Sequence, residues 1–377
     1  MKKCKAKFVF NTMVANESHC ILRMLESVYK YIDYWVIQDN GSTDGTQDLI
    51  KNFFAEKGIP GFLYEIPWSG CMGQNRDHTV QTCLKADHGC DWILRVDADE
   101  VLEVDDDFDW SIFDETSIQS FDVPAKSGVV NYYRCWLWNA KLPWKFKHDK
   151  RHECIILDRD NIGEGFQRVQ LPPSFRHRVI ADGQTYANPF KYYIDALELE
   201  KDMIVKREML TDQYHLWYLG KSYHDNVPSQ HLPFGDLHNH ELARRGLFYF
   251  ERFLEVRHNF MTAGTFKHID EMAYTGFLCM AHLYSVLGDV EKEIWALKTA
   301  EMSCPPRNEH LKRLAWIYHR NKRFSDMLEV TTRMMDPRRI NPYPNLCVVL
   351  EDDAYHNTGT LVQELHRLAL ECNQNNA

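Results

Sequence analysis

The sequence predicts an α/β domain with a mostly parallel sheet over residues 1–190, followed by an all-α repeat domain over residues 191–377. Three observations predict this. Through the first hundred residues, apolar strand patterns alternate with amphipathic helix patterns, which implies parallel strands joined by right-handed crossovers. After Asn188 the strand patterns give way to long helical ones. Within that helical part, one spacing of small residue, tyrosine and turn glycine recurs.

Taken in order, Lys7 to Val14 reads as a strand. Ser18 to Tyr31 reads as a helix, with Ile21, Leu22, Leu25, Val28 and Tyr29 on one face. Tyr34 to Gln38 is a short apolar strand, and the loop Asp39-Asn40-Gly41-Ser42-Thr43-Asp44-Gly45 follows it. Asp44 is placed to cap the next helix, with Gln47 three residues on, and Gly58, Pro60 and Gly61 end that helix. Phe62 to Ile66 is a strand, Gln74 to Ala86 a helix, and Trp92 to Val96 a buried strand. Phe121 to Val179 is strand-like and aromatic, with Trp136, Trp138 and Trp144 close together. Those tryptophans suit either core packing or stacking on a sugar ring.

In the helical part, Leu216, Leu219, Gly220 and Tyr223 match the opening of a tetratricopeptide unit. Phe277, Met280, Ala281 and Tyr284 repeat it, with Gly288 at the inter-helix turn and Pro305 at the end. Leu311, Leu314, Ala315 and Tyr318 repeat it again, and Asp225 to His240 reads as an insertion.

Charge and composition narrow the function. The formal net charge of -10 disfavours nucleic acid and anionic lipid as partners. An anionic ligand would need positive charge supplied locally. The 11 cysteines are odd in number and none lie in Cys-x-x-Cys spacing, so neither a disulfide framework nor a zinc ribbon is expected. That usage fits a reducing compartment. Asn11, Asn16 and Glu17 interrupt the stretch after the basic N-terminus, and no run reaches the roughly 18 apolar residues of a membrane span. A soluble, cytoplasmic protein is the expectation. The sequence has no His-Glu-x-x-His, phosphate-binding loop or GxGxxG, which weighs against zinc hydrolases, ATPases and dehydrogenases.

Three polar segments fall at predicted strand ends: Ala15-Asn16-Glu17, Asp39 with its loop, and Asp97-Ala98-Asp99-Glu100. In parallel sheets, ligands bind beyond those carboxyl ends. Asp97 and Asp99, one residue apart, suit a hard cation such as Mn²⁺ or Mg²⁺, which also binds phosphates. A solvated acidic turn is the alternative, and Asp105-Asp106-Asp107 is expected to be one. Asp39 precedes the turn itself, so its carboxylate is placed to accept from a base imide or a ribose hydroxyl.

Val14 to Glu17, Gln38 to Thr46 and Trp92 to Glu100, in that order and spacing, resemble the family 2 glycosyltransferases of the GT-A fold. The resemblance implies that Ala15, Asn16 and Asp39 contact the nucleotide. It implies that Asp97 and Asp99 form the family's DxD motif, binding ribose, diphosphate and metal. Asn75-Arg76-Asp77 stands where the family often has an Arg-Asn pair, with aspartate here replacing the asparagine. Arg76 is thus a candidate donor contact, or else a helix-surface arginine. Some bacterial and viral members carry a His-Glu pair, a lone histidine and a tetratricopeptide tail. This chain offers His152-Glu153, His177 and its repeats.

Inverting transfer needs a base at the acceptor nucleophile. Glu153 is the first candidate and Asp149 the second, against a surface role in a charged segment. His177 suits a third metal ligand, a structural histidine or a phosphate-facing donor. The implied activity is metal-dependent, inverting transfer from a nucleoside-diphosphate donor, a UDP-hexose or UDP-N-acetylhexosamine first. The acceptor class is open among glycan, lipid-linked and protein acceptors. The helical domain is expected to hold the acceptor or a protein partner, or to support a homodimer. Two rivals stand. A sugar-phosphate nucleotidyltransferase would need a Gly-rich basic signature that Val14 to Glu17 lacks. A tetratricopeptide scaffold with an inactive front domain is disfavoured by the intact Asp39, Asp97 and Asp99.

Overall fold

A computed structural model describes residues 4–128, 130–147, 153–158, 167–183, 188, 190–227, 236–262, 270–304, 307–336, 350–351 and 361–374. The chain forms two compact units, residues 1–128 with 132–188, and residues 129–131 with 189–377.

The first unit runs β1 (Phe8–Val14), α1 (Ile21–Val28), β2 (Tyr34–Asp39), α2 (Thr46–Lys57), β3 (Gly61–Glu65), α3 (Met72–Lys85), β4 (Trp92–Leu94) and β5 (Glu100–Val104). It continues with β6 (Ser120–Ser127), β7 (Val130–Asn139), β8 (Trp144–Phe146), β9 (Ile155–Leu157), β10 (Arg168–Gln170) and β11 (Phe175–Val179). The sheet order is β3-β2-β1-β4-β7-β6-β11-β5, with β10 beside β6. Pairings among β3, β2, β1 and β4 are parallel. β7 joins β4 antiparallel, and β11 lies parallel to β6 but antiparallel to β5.

Parallel strands covered on both faces carry near-continuous apolar runs. Phe8, Val9 and Phe10 of β1, Val36 and Ile37 of β2, and Ile93 and Leu94 of β4 are accordingly buried. Phe8, Trp92, Trp110, Phe113, Phe121 and Phe175 add an aromatic cluster with many edge-on contacts. Trp138 and Trp144 are core residues, and their indole N–H groups donate to Cys135 O at 2.7 Å and Asn139 O at 2.8 Å.

The elements differ from expectation in three places. The helix expected over Ser18 to Tyr31 is regular only as α1, because residues 18–20 form a turn in which Glu17 O accepts from Cys20 N and Ile21 N. α2 has Gly45, at φ +91°, as its N-cap residue; Asp44 caps from one position earlier, accepting from Thr46 N at 3.1 Å. β5 is a strand that the sequence reading does not contain. It starts inside the acidic run, where Glu100 is buried against Arg134, so its polarity hides a core position.

The second unit is helical: α4 (Lys191–Val205), α5 (Gln213–Asn226), α6 (Asp236–Thr262), α7 (Glu271–Val286), α8 (Val290–Ser303), α9 (Glu309–Arg320), α10 (Phe324–Met334) and α11 (Leu361–Gln374). Packing is pairwise, α5 with α6, α7 with α8 and α9 with α10. The turns after α7 and α9 are the same structure thirty-four residues apart. Gly288 and Lys322 are both left-handed, at φ +75° and +56°. Asp289 N donates to Tyr284 O at 2.9 Å, and Arg323 N to Tyr318 O at 2.8 Å. At Gly220 a Cβ would lie 2.9 Å from the Phe250 ring, so the small residue permits α5 and α6 to approach. The extra length between Tyr223 and Tyr284 is taken largely by α6, a 27-residue helix, so the expected insertion is helical at its far flank. Among the described residues, no helix is long and apolar enough to cross a membrane.

Candidate active site at the strand ends

The carboxyl ends of β1, β2 and β4 lie side by side, because Val14 pairs with Asp39 and Phe10 with Leu94. The three polar segments therefore share one edge of the sheet. The β1 and β2 loops lock together. Asn16, at φ +56°, accepts at its side-chain oxygen from Thr43 N at 2.8 Å, and its own N–H donates to Ser42 Oγ at 2.8 Å. Asn16 thus builds the loop, with half-buried Ala15 beside it.

Asp39 is fully buried. Its Oδ1 accepts from Gly41 N at 2.9 Å, Ser42 N at 2.8 Å and Gln47 Nε2 at 2.9 Å. Its Oδ2 is buried with no hydrogen-bond donor among the described residues. One oxygen holds the turn, and the other is an orphan acceptor of the kind that a buried site seldom tolerates without a ligand or water.

At the end of β4, Asp97 accepts from Arg95 Nη2 at 3.1 Å and faces Arg76 Nη2 at 3.3 Å. Burial alone would raise its pKa, but Arg76, Arg95 and Arg134 outweigh this and hold it at about 2. Asp99 is the opposite case. Among the described residues none but Asp99 itself donates a hydrogen bond to its carboxylate, and burial together with the charges of Asp97 and Glu100 pushes it up to about 7. Gly183 packs against it, since a Cβ there would lie 3.0 Å from Asp99 Cβ. A carboxylate crowded by like charge in this way suits a hard cation.

Arg76 of α3 is no surface arginine. Its side chain is 14% exposed, and its Nε lies 2.6 Å from Glu153 Oε1. Arg76 therefore joins Glu153 to Asp97. Asp149, the second base candidate, lies outside the described residues, as does His152.

His177 is placed differently from a shared cation site with Asp97 and Asp99. It is fully buried, with Nδ1 3.5 Å from Glu100 Oε2 and 3.4 Å from Arg134 Nη2. Burial lowers its pKa despite the Glu100 contact. Among the described residues, the three-ligand cluster within 4.8 Å is Glu17, His19 and Cys20, not Asp97, Asp99 and His177. The reason is β11, whose pairing with β5 sets His177 opposite Leu102.

Four more residues complete the site; the sequence reading gave no role to Arg95 or Arg134, named Glu100 only within the acidic segment and Trp136 only for core packing or sugar stacking. Glu100 pairs with Arg134 Nη1 at 2.7 Å. The guanidinium of Arg134 lies 3.5 Å from the Trp136 ring centroid, with Arg95 at 5.6 Å and Arg76 at 5.7 Å from the same ring. One indole thus carries three cations. Arg95 is fully buried, and its Nε and Nη1 have no hydrogen-bond acceptor among the described residues. A charged residue inside the apolar run Trp92 to Val96 was the available signal. The site therefore holds free donors at Arg95, a free acceptor at Asp39 and an uncompensated acid at Asp99.

No family model matches the chain. Curated relatives match it over about a quarter of its length. An uncharacterized glycosyltransferase of Rickettsia prowazekii is 33% identical over 97 residues, 25% of this chain and 29% of the relative. The lipopolysaccharide core biosynthesis glycosyltransferase LpsC of Rhizobium meliloti is 35% identical over 89 residues, 23% of this chain and 30% of the relative. The match thus spans less than a third of the length of these relatives. Among solved structures, MamA aligns over 49% of this chain and 91% of its own, at 13% identity and a TM-score of 0.29, a likeness too low to fix a shared fold.

Proposed function

We propose that the protein is a glycosyltransferase of the family 2, GT-A kind, moving a sugar from a nucleoside-diphosphate donor, a UDP-sugar first, to an acceptor nucleophile with inversion. The observation that carries this is the juxtaposition at one sheet edge of a buried acceptor (Asp39), an uncompensated acid (Asp99) and buried arginines (Arg76, Arg95). Glycosyltransferase relatives over a quarter of the chain support sugar transfer as the class.

The free Oδ2 of Asp39 accepts from the base or ribose. Asp97 and Asp99 would hold Mn²⁺ or Mg²⁺, which supplies charge neutralisation for the departing diphosphate. Asp99 fits that role because it stands unpaired among like charges. Arg76 and Arg95 offer guanidinium donors to the phosphate oxygens. Glu153 deprotonates the acceptor, on the face away from the leaving group. Arg76, whose Nε lies 2.6 Å from Glu153 Oε1, orients that carboxylate. The helical unit holds the acceptor or a partner chain.

The test is donor hydrolysis across common sugar nucleotides, with and without Mn²⁺. Metal-stimulated release of UDP from one UDP-sugar supports the reading. Silence with every nucleotide would favour a scaffold whose front domain is inactive.

A further inference from the structure

Beyond β11 the chain folds back over Asp99. Ile180 N donates to Asp99 O at 3.0 Å, Ala181 turns in the left-handed region at φ +60°, and buried Gly183 comes to rest on the Asp99 side chain. A Cβ on Gly183 would lie 3.0 Å from Asp99 Cβ and 3.1 Å from both Cγ and Oδ2. Gly183 is not itself left-handed, so its place requires a missing side chain rather than a permissive backbone. Among the described residues the Asp99 carboxylate accepts from no donor outside its own residue. With no neighbour's hydrogen bond to fix its direction, packing does so, and Gly183 supplies that packing on one side.

This segment does not keep its shape unaided. A left-handed alanine is strained, and such a conformation persists where the surroundings enforce it. Here α1 and the turn before it do so. Arg23 Nη1 donates to Asp182 Oδ2 at 2.8 Å, and Arg23 Nη2 to Asp182 Oδ1 at 2.6 Å. His19 Nε2 lies 2.8 Å from Asp182 O. Both carboxylate oxygens and the main-chain carbonyl of Asp182 are thus held from one side. A guanidinium fork of this kind fixes direction as well as distance, which a lysine does not. The Arg23 and Asp182 side chains are 37% and 41% exposed, and so open an ion pair adds little to overall stability. Its effect is local, on where Gly183 sits.

We propose that Arg23 is a positioning residue for the cation site: by clasping Asp182 it seats Gly183 against Asp99 and so limits the directions that the Asp99 carboxylate can take up toward a cation. The cation itself, Mn²⁺ or Mg²⁺ at Asp97 and Asp99, rests on the transferase reading. Arg23 acts through Asp182 and Gly183 rather than by touching the donor. Simple electrostatics predicts the opposite sign. Arg23 is also a positive charge near Asp99, and removing it would tighten cation binding if charge alone counted. Positioning predicts that removing it weakens cation binding. Outer residues that hold a metal ligand in place commonly contribute about 10- to 100-fold to metal affinity.

The experiment is calorimetric titration of UDP into the whole protein with and without Mn²⁺, for the parent, Arg23→Gln, Arg23→Lys and Gly183→Ala, beside thermal melting. The parent should bind UDP about tenfold or more tightly with the metal. Arg23→Gln should lose about threefold to tenfold in affinity with Mn²⁺ present, while its metal-free UDP affinity and its melting stay at the parent's values. Arg23→Lys, which keeps the charge without the fork, should behave like Arg23→Gln. Gly183→Ala, whose methyl group presses directly on Asp99, should lose about tenfold with the metal. If that variant misfolds, Asp182→Asn reads the same clasp from its other side. A metal gain in Arg23→Gln equal to or above the parent's, or one lost only together with metal-free affinity, would overturn the proposal and leave the transferase reading standing. No metal gain in the parent would overturn both.

Discussion

Two buried charge clusters, one in each unit, are built differently. In the helical unit, Arg307 is fully buried, and its Nη2 lies 2.6 Å from Glu309 Oε1, its Nε 3.0 Å from Glu309 Oε2 and its Nη1 3.2 Å from Glu271. Tyr274 donates to the same Glu309 at 3.0 Å. Each charge there has a protein partner. At the strand ends, among the described residues, the Asp99 carboxylate has no donor outside its own residue, Asp39 keeps an orphan oxygen, and Arg95 keeps free donors. Closed clusters hold a fold together, whereas open ones cost stability and persist where a ligand completes them.

The largest expected effect breaks the closed cluster. Arg307→Met leaves Glu309 and Glu271 without their cation and should cost about 3–5 kcal/mol in urea unfolding. Nucleotide affinity of the folded fraction should not change. Next comes Asp99→Ala, which should lower transfer about 100- to 1,000-fold while circular dichroism and melting stay close to those of the parent. Near-normal turnover by that variant would remove Asp99 from the chemistry.

A smaller effect concerns pH. Asp99 ionises at about 7 when folded, against an ordinary value of 3.8, so the folded state binds the proton more tightly. Its contribution is fully present below about pH 4 and is lost as pH rises to about 7. Asp99→Asn should therefore gain roughly 1–2 kcal/mol over the parent at alkaline pH and nothing at acid pH, after discounting for solvent. Added Mn²⁺ should shrink that gap by stabilising the parent. The smallest effect is again structural. Asp289 caps α8 by accepting from Lys292 N at 3.1 Å, and Asp289→Ala should cost about 1 kcal/mol with UDP binding unchanged.

The contrast also explains what was legible in the sequence. Strands β1, β2 and β4 are buried, so Phe8, Val36 and Ile93 stand in apolar runs that announce themselves. Gly288 and Tyr284 mark a local turn, and local rules find it. The open cluster was legible at Asp39, Asp97 and Asp99, because short loops after strands place those carboxylates. Its cations were less so. Arg95, just past β4, and Arg134, within β7, are isolated polar interruptions of apolar or aromatic runs, and only the long-range stacking on Trp136 gives them a common purpose. Likewise the Arg76–Glu153 pair joins a helix to a distant segment that no spacing rule connects. His177 lies against Glu100 and Arg134, neighbours that strand register sets and residue type does not announce.

The most direct measurement is calorimetric titration of UDP into the protein with and without Mn²⁺, beside Asp99→Asn. An open site that needs a cation at Asp99 should bind UDP about tenfold or more tightly with the metal, and the variant should lose that gain. Equal UDP affinity in both conditions, or a metal gain that survives in Asp99→Asn, would contradict it.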